Sequence, residues 1–169
     1  AGITETPVVI IDAQRPGPAV GLPTRTEQGD LKFVLTAHHG EFPRLVLAPA
    51  NIEDCFRLTV EAFNLADIYQ TPVIILTDQY LASSYATIDK FDLSKVLIDR
   101  GELYSGKAAE YRRHAITESG VSPRAFPGVS EALVVTDSDE HDEYGHLTED
   151  ANIRRELVLK RLRKLDGLD

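Results

Sequence analysis

LVLAPANIEDCFRLTVEAFNLADIYQTPVIIL, residues 45–76, decides the fold. It opens on the apolar run Leu45-Val46-Leu47-Ala48 and closes on Val73-Ile74-Ile75-Leu76. Both runs are continuous rather than alternating, which suits strands covered on both faces, as in a parallel sheet. Between them, Pro49 stops the first strand and Asn51 offers a side-chain oxygen to cap a helix. Glu53 and Asp54 fall in that helix's first turn, where the dipole favours anions. Ile52, Cys55, Phe56, Val60 and Phe63 are expected on its apolar face, and Thr71-Pro72 ends it after about Tyr69. Strand, helix and strand make a βαβ unit, whose crossover is right-handed in nearly all cases.

A third run, Val8-Val9-Ile10-Ile11, repeats the buried-strand pattern. The fold class is therefore α/β, a parallel β-sheet flanked by helices. Arg15-Pro16-Gly17-Pro18, Gly21 and Pro23 forbid a helix after this strand, so residues 12–25 form a long loop. A shorter helix is expected from Thr26-Glu27-Gln28 to Gly40, with Thr26 as its cap. Loops leaving the carboxyl ends of parallel strands are where such folds place their sites.

The rest of the chain reads differently. Residues 112–136 suggest a hairpin-like excursion with turns at Gly120, Pro123 and Pro127-Gly128 and a strand at 132–135. Seven acidic residues follow among positions 137–150. A last helix, about 150–165, carries Arg154, Arg155, Lys160, Arg161, Arg163 and Lys164. Its apolar stripe of Ile153, Leu157, Leu162 and Leu165 calls for a partner surface.

Composition excludes several classes. With 27 Asp and Glu against 18 Lys and Arg, the net charge is −9, which leaves no cationic excess for general nucleic-acid binding. No apolar run approaches the roughly 20 residues that span a bilayer. The single cysteine, Cys55, allows no internal disulfide, which points to a reducing, cytoplasmic setting. On the apolar helix face it reads as an inert core thiol. The absence of Met, and a first strand reached by Val8 without a preceding cap, read as a piece of something larger.

The richest chemistry lies in Gly21-Leu22-Pro23-Thr24-Arg25-Thr26-Glu27-Gln28-Gly29-Asp30. Arg25 can grip a planar carboxylate or phosphate through two parallel hydrogen bonds. Equally, Arg25 could pair with Glu27 or Asp30 while the threonines cap the helix. In Asp139-Glu140-His141-Asp142-Glu143-Tyr144-Gly145-His146, acidic groups beside two histidines resemble metal ligands, but adjacent residues rarely converge on one ion, so a solvated turn is expected. Asp12 and Asp78 both follow apolar runs, as in Mg²⁺-dependent phosphotransfer or phosphatase-like domains. No phosphate-gripping glycine loop accompanies them. His38-His39 and His114 carry little signal.

GLPTRTEQGDL, with TETPVVIIDAQRPGP before it and HHGEFPRLVLAP, EDCF, AFNLAD, YQTPVIILTDQYLA and IDRG after it, resembles the α subunit of 2-oxoacid:ferredoxin oxidoreductases, most nearly the 2-oxoglutarate type. ITESGVSPRAFPG and DSDEHDEYGHLTED fit the stretch that follows in that subunit. The resemblance implies that residues 1–110 are part of a thiamine-diphosphate pyrimidine-binding domain. Residues 111–169 would then be a connecting hairpin, acidic turn and basic helix leading into a following domain. It implies oxidative decarboxylation of a 2-oxo acid to an acyl-CoA, with electrons passing through an iron–sulfur cluster in another subunit to ferredoxin. Thiamine diphosphate and Mg²⁺ would sit at the interface with a β subunit. Arg25 would hold the substrate carboxylate, supported by Thr24, Thr26 and Gln28. The family's tyrosine–proline–isoleucine–threonine–proline string and its cofactor-protonating glutamate have no counterpart in these 169 residues. Glu5 aligns with the approach to the first strand instead, so the isolated chain is expected to be inert. A scaffold or interface piece is the non-enzymatic alternative.

Overall fold

In the computed structural model, which describes residues 1–168, the three runs form strands β1 (Val8–Gln14), β2 (Leu45–Leu47) and β3 (Pro72–Asp78). They make one parallel sheet in the order β1-β3-β2. Helix α1 (Leu31–Thr36) lies between β1 and β2, and helix α2 (Ile52–Tyr69) between β2 and β3. Helix α3 (Gln79–Ala82) follows β3, and α4 (Ala151–Leu162) closes the chain with a 3₁₀ turn over Arg163–Leu165. The α/β class read from the sequence is the observed one.

Position in the sheet decides burial. Val73 to Leu76 of the central strand β3 are all buried. Alternate residues point to the two layers: Val73 and Ile75 meet Ala62 and Ala66 of α2, and Ile74 and Leu76 meet Val34 of α1. β1 has the same apolar run but lies at the edge, so Ile10 and Ile11 are exposed, contrary to the expectation of a strand covered on both faces. A run of β-branched residues reports strand propensity; it does not report strand order.

Asn51 caps α2 through Asp54 N at 2.8 Å, with Glu53 and Asp54 in the first turn, as the sequence indicates. The buried stripe of this helix is Leu58, Ala62 and Ala66, whereas Phe63 faces outward. The small alanines let α2 approach the sheet closely, while Phe56 leaves the core to stack on Phe91 at 4.2 Å.

Helix α1 is shorter than expected and starts after Asp30, so Thr26 does not cap it. The glycine and proline content before residue 30 keeps that stretch irregular. The strand expected at 132–135 does not form, because Leu133 is exposed and no partner strand lies beside it. The tight reversal lies later, where His141 and Leu147 pair antiparallel around Gly145.

The C-terminal helix finds its partner surface within this chain. Asp150 caps it through Asn152 N and Ile153 N. Leu157 and Lys160 are fully buried and Arg161 and Lys164 nearly so, whereas Leu162 is exposed. Arg161 forks onto Glu140 at 3.0 and 2.9 Å, and Lys160 Nζ donates to Glu5 Oε1 at 2.6 Å. Lys164 Nζ lies 2.7 Å from Glu5 Oε2 and donates to the carbonyl of Gln70, the C-cap of α2. That helix has no basic residue in its own last turn, and Lys164 supplies one from 94 positions away. Gly120 permits this docking: it adopts a left-handed backbone (φ 79°), and a Cβ there would stand 2.4 Å from the Lys160 carbonyl.

Candidate functional site

The carboxyl ends of β1, β2 and β3 share one edge of the molecule, where parallel sheets carry their sites. A cleft of about 210 Å³ lies there, lined by Gln14, Gln28, Leu31, Ala48, Leu76 and Asp78 among others. Gln14, the last residue of β1, is buried; its Nε2 donates to Thr77 O at 3.1 Å and its Oε1 accepts from Asp30 N at 3.0 Å. Asp78, the last residue of β3, accepts from Leu81 N on Oδ1 at 2.8 Å and from Gln28 Nε2 on Oδ2 at 2.7 Å. Those bonds, the backbone one first, hold the Asp78 carboxyl below its ordinary range.

Above this edge runs the loop of residues 15–29. It folds back on itself through Leu22 N to Pro16 O and Arg25 N to Leu22 O. Gly21 is required at the fold-back, since it has φ 49° and a Cβ would stand 1.9 Å from Pro16 O. Thr24, Arg25, Thr26 and Gln28 are all exposed. The loop joins Gln28 to Asp78 but does not join Arg25 to Glu27 or Asp30. Among the described residues the Arg25 guanidinium has no ion pair, and the hydroxyls of Thr24 and Thr26 make no hydrogen bond. The self-paired alternative for Arg25 is thus not the observed arrangement.

Asp12 and Asp78 do not form a paired carboxylate site. The register sets Asp12 opposite Leu76 and Asp78 opposite Gln14, two positions further along. Partial burial, and then Asp30, raise the Asp12 carboxyl, while both Asp78 oxygens are engaged. In the acidic turn, Glu140 pairs with Arg161 and Arg154, and Glu143 pairs with Arg112 and accepts from Ile116 N. Asp142 Oδ1 accepts from Tyr144 N and His146 N. These carboxylates anchor helix and turn. Among the described residues no group of three or more His, Cys, Asp or Glu side chains is placed to hold a metal ion. Cys55 is half-buried, and that burial pushes its thiol up.

The sequence reading missed a cluster beneath the sheet's other end. Glu5, fully buried in a left-handed backbone (φ 50°), meets Lys160, Lys164 and His114 Nδ1, the last at 3.0 Å. Burial alone would raise the Glu5 carboxyl, but His114 and the two lysines together hold it well below its ordinary value. Desolvation pushes His114 down to about 4 and Lys164 down to about 8 despite the carboxylate beside them. Arg113 donates to Glu5 O and Gln70 Oε1. The i, i+4, i+7, i+11 spacing of Ile153, Leu157, Lys160 and Lys164 was the available signal, because it places both lysines on the inward stripe.

The strand-end cleft is lined by two amides, a threonine, one carboxylate and aliphatic groups, with no cation among its lining residues. It does not fit a diphosphate. No helix among the described residues is long and apolar enough to cross a membrane.

The family described as pyruvate flavodoxin/ferredoxin oxidoreductase, thiamine diphosphate-binding, matches residues 1–160. The chain is 45% identical over 171 residues to the α subunit of 2-oxoacid:ferredoxin oxidoreductase 1 from Sulfurisphaera tokodaii, covering 100% of this chain and 27% of that protein. It is 49% identical over 81 residues to the 2-oxoglutarate oxidoreductase subunit KorA of Mycobacterium tuberculosis, covering 48% of this chain and 12% of that one. A solved 2-oxoglutarate:ferredoxin oxidoreductase from Magnetococcus marinus, with 2-oxoglutarate, coenzyme A and succinyl-CoA bound, superposes with a TM-score of 0.92 at 36% identity, covering 99% of this chain and 29% of that one. The chain thus spans about a quarter of the length of the α subunits it matches end to end. A match over nearly all of its residues, on the same parallel sheet, settles its kinship: the chain belongs to the thiamine-diphosphate-binding family of pyruvate flavodoxin/ferredoxin oxidoreductases.

Proposed function

We propose that this chain forms the substrate-gripping part of an oxidoreductase that oxidatively decarboxylates a 2-oxo acid, 2-oxoglutarate foremost, to an acyl-CoA and passes the electrons to ferredoxin. The observation that carries this reading is Arg25, exposed and without an ion pair among the described residues, on a loop tied to the carboxyl edge of the sheet. There it would donate two parallel charge-assisted hydrogen bonds to the substrate carboxylate, with Thr24 and Thr26 offering hydroxyls beside it. Fixing the carboxylate would orient the adjacent keto carbon for attack. The names of the relatives from S. tokodaii and M. tuberculosis, and the ligands of the M. marinus enzyme, support the substrate class.

Thiamine diphosphate would supply the electron sink of the decarboxylation. By the resemblance, its phosphates and Mg²⁺ would be held at the interface with a β subunit and the iron–sulfur cluster would lie in another subunit; the strand-end cleft of this chain presents no cation to a diphosphate. The isolated chain is then inert. Residues 1–110, which hold all three strands, would be the pyrimidine-binding part, and residues 111–169, docked against it, would lead into a following domain. A reducing, cytoplasmic setting suits Cys55, the sole cysteine.

The test is viologen dye reduction by the anaerobically purified oxidoreductase containing this chain, with CoA, thiamine diphosphate and Mg²⁺, over a panel of 2-oxo acids. Strong reduction with 2-oxoglutarate is expected. Activity confined to pyruvate or branched 2-oxo acids would keep the reaction and replace the substrate, and no reduction with any of them would overturn the reading.

A further inference from the structure

The loop that carries Arg25 is held to the sheet by very little. Among the described residues, a single side-chain hydrogen bond ties residues 15–29 to the strands: Gln28 Nε2 to Asp78 Oδ2, 2.7 Å. The two ends of the loop are clasped at its base by Gln14, whose buried amide spans Asp30 N and Thr77 O. Because Gln28 is three residues from Arg25, its anchor sets the reach of the guanidinium over the strand ends to within about 10 Å of chain.

Asp78 is suited to be that anchor. Its Oδ1 accepts from Leu81 N at the start of α3, which turns Oδ2 towards Gln28. Gln28, conversely, commits its Nε2 to Asp78, which removes that donor from any substrate.

We propose that Asp78 is a positioning residue for the substrate carboxylate: acting through Gln28, it fixes the 15–29 loop where Arg25 meets the 2-oxo acid, without touching the acid itself. The proposal rests on the reading of Arg25 given above. It also moves Gln28 from direct support of the substrate to placement of the loop.

The choice of variant follows from the chemistry of the pair. Asp78→Asn alone is a weak test, because Gln28 can turn its amide and offer its oxygen to the new NH₂ group. Gln28→Glu is the sharp one, since it sets carboxylate against carboxylate and releases the loop. Gln28→Glu with Asp78→Asn restores the hydrogen bond with donor and acceptor exchanged.

In the intact oxidoreductase, assayed with the 2-oxo acid it reduces dye with, Gln28→Glu is expected to raise KM about tenfold, and to raise KM by more than it lowers kcat. The Gln28→Glu/Asp78→Asn pair should return KM close to that of the parent enzyme. Arg25→Ala is measured alongside. An unchanged KM in Gln28→Glu beside a raised KM in Arg25→Ala overturns the proposal alone. Failure of the exchanged pair to recover KM overturns it as well. An unchanged KM in Arg25→Ala overturns the reading of Arg25 and the proposal with it.

Discussion

Glu5 and Lys160 stand 155 residues apart in sequence and meet in a 2.6 Å ion pair from which water is wholly excluded. Lys164 pairs with the same carboxylate, so two lysines share one counter-charge, and Arg113 donates to the backbone carbonyl of Glu5 beside them. Backbone carbonyls of Gln70, Glu5 and Thr4 absorb donors the carboxylate does not take. The pair ties the turn before β1 to α4 and so joins the two ends of the folded unit.

Removing the carboxylate would strand its cations. Glu5→Gln leaves Lys160 and Lys164 buried without a counter-charge, a change that costs about 3–5 kcal/mol at sites of this kind. Urea denaturation of the 169-residue chain, followed by far-ultraviolet circular dichroism, checks this. Combining Glu5→Gln with Lys160→Met and Lys164→Met should recover part of the loss, because no charge is then left buried and unpaired.

Acid should loosen the same cluster. His114 has its pKa depressed to about 4 from 6.5, so the unfolded chain binds a proton more readily than the folded one between those values. Its contribution is fully present above about pH 6.5 and is lost as pH falls towards 4. Glu5, also depressed, adds a loss in the same direction as pH falls through its ordinary range. His114 faces Glu5, His141 and Thr136 Oγ1. A Tm that declines from pH 6.5 to 4, with a shallower decline in His114→Asn, is the expected result.

Arg25→Ala should raise KM for the 2-oxo acid by at least about a hundredfold, or abolish turnover, because it deletes two hydrogen bonds worth about 1.5–3 kcal/mol each. Steady-state dye reduction reads this directly. Arg25→Lys keeps the charge but loses the fork, and should recover only part of the binding.

Helix α4 offers an internal contrast. Leu157 is fully buried and Leu159 is 47% exposed. Leu157→Ala should cost about 2–5 kcal/mol, whereas Leu159→Ala should stay within about 0.5 kcal/mol. Equal effects on the urea midpoint would contradict the docking of α4 described above.

What the sequence made legible was local or strongly patterned. Asn51, the acidic first turn and Pro72 frame α2 through contacts a few residues long, and the apolar runs 45–48 and 73–76 announce their strands. The placement of the Arg25 loop over the strand ends followed from chain order and the geometry of parallel sheets. Strand order was not legible, because Val8 to Ile11 and Val73 to Leu76 are nearly the same text and only pairing distinguishes edge from centre. Nor was the anchoring of Gln28 by Asp78, which joins positions 50 apart. The basic helix was legible only in part: it does dock, but Leu162 of the expected stripe is exposed, and Lys160 and Lys164 turn inward because Glu5 lies opposite them. Charge reads as surface in a sequence, and only a distant partner makes it interior.

The ion pair between residues 5 and 160 also fixes an order of events during synthesis. At roughly 5–20 residues per second, the ribosome needs about 8–31 s to travel from one partner to the other. Throughout that interval the apolar strands have been made while the carboxylate at their head has no lysine to meet. The nascent chain must therefore keep Glu5 in water, and chains cut short before α4 carry an unmet acidic group at the start of β1. Such a mark separates chains that have passed α4 from those that have not.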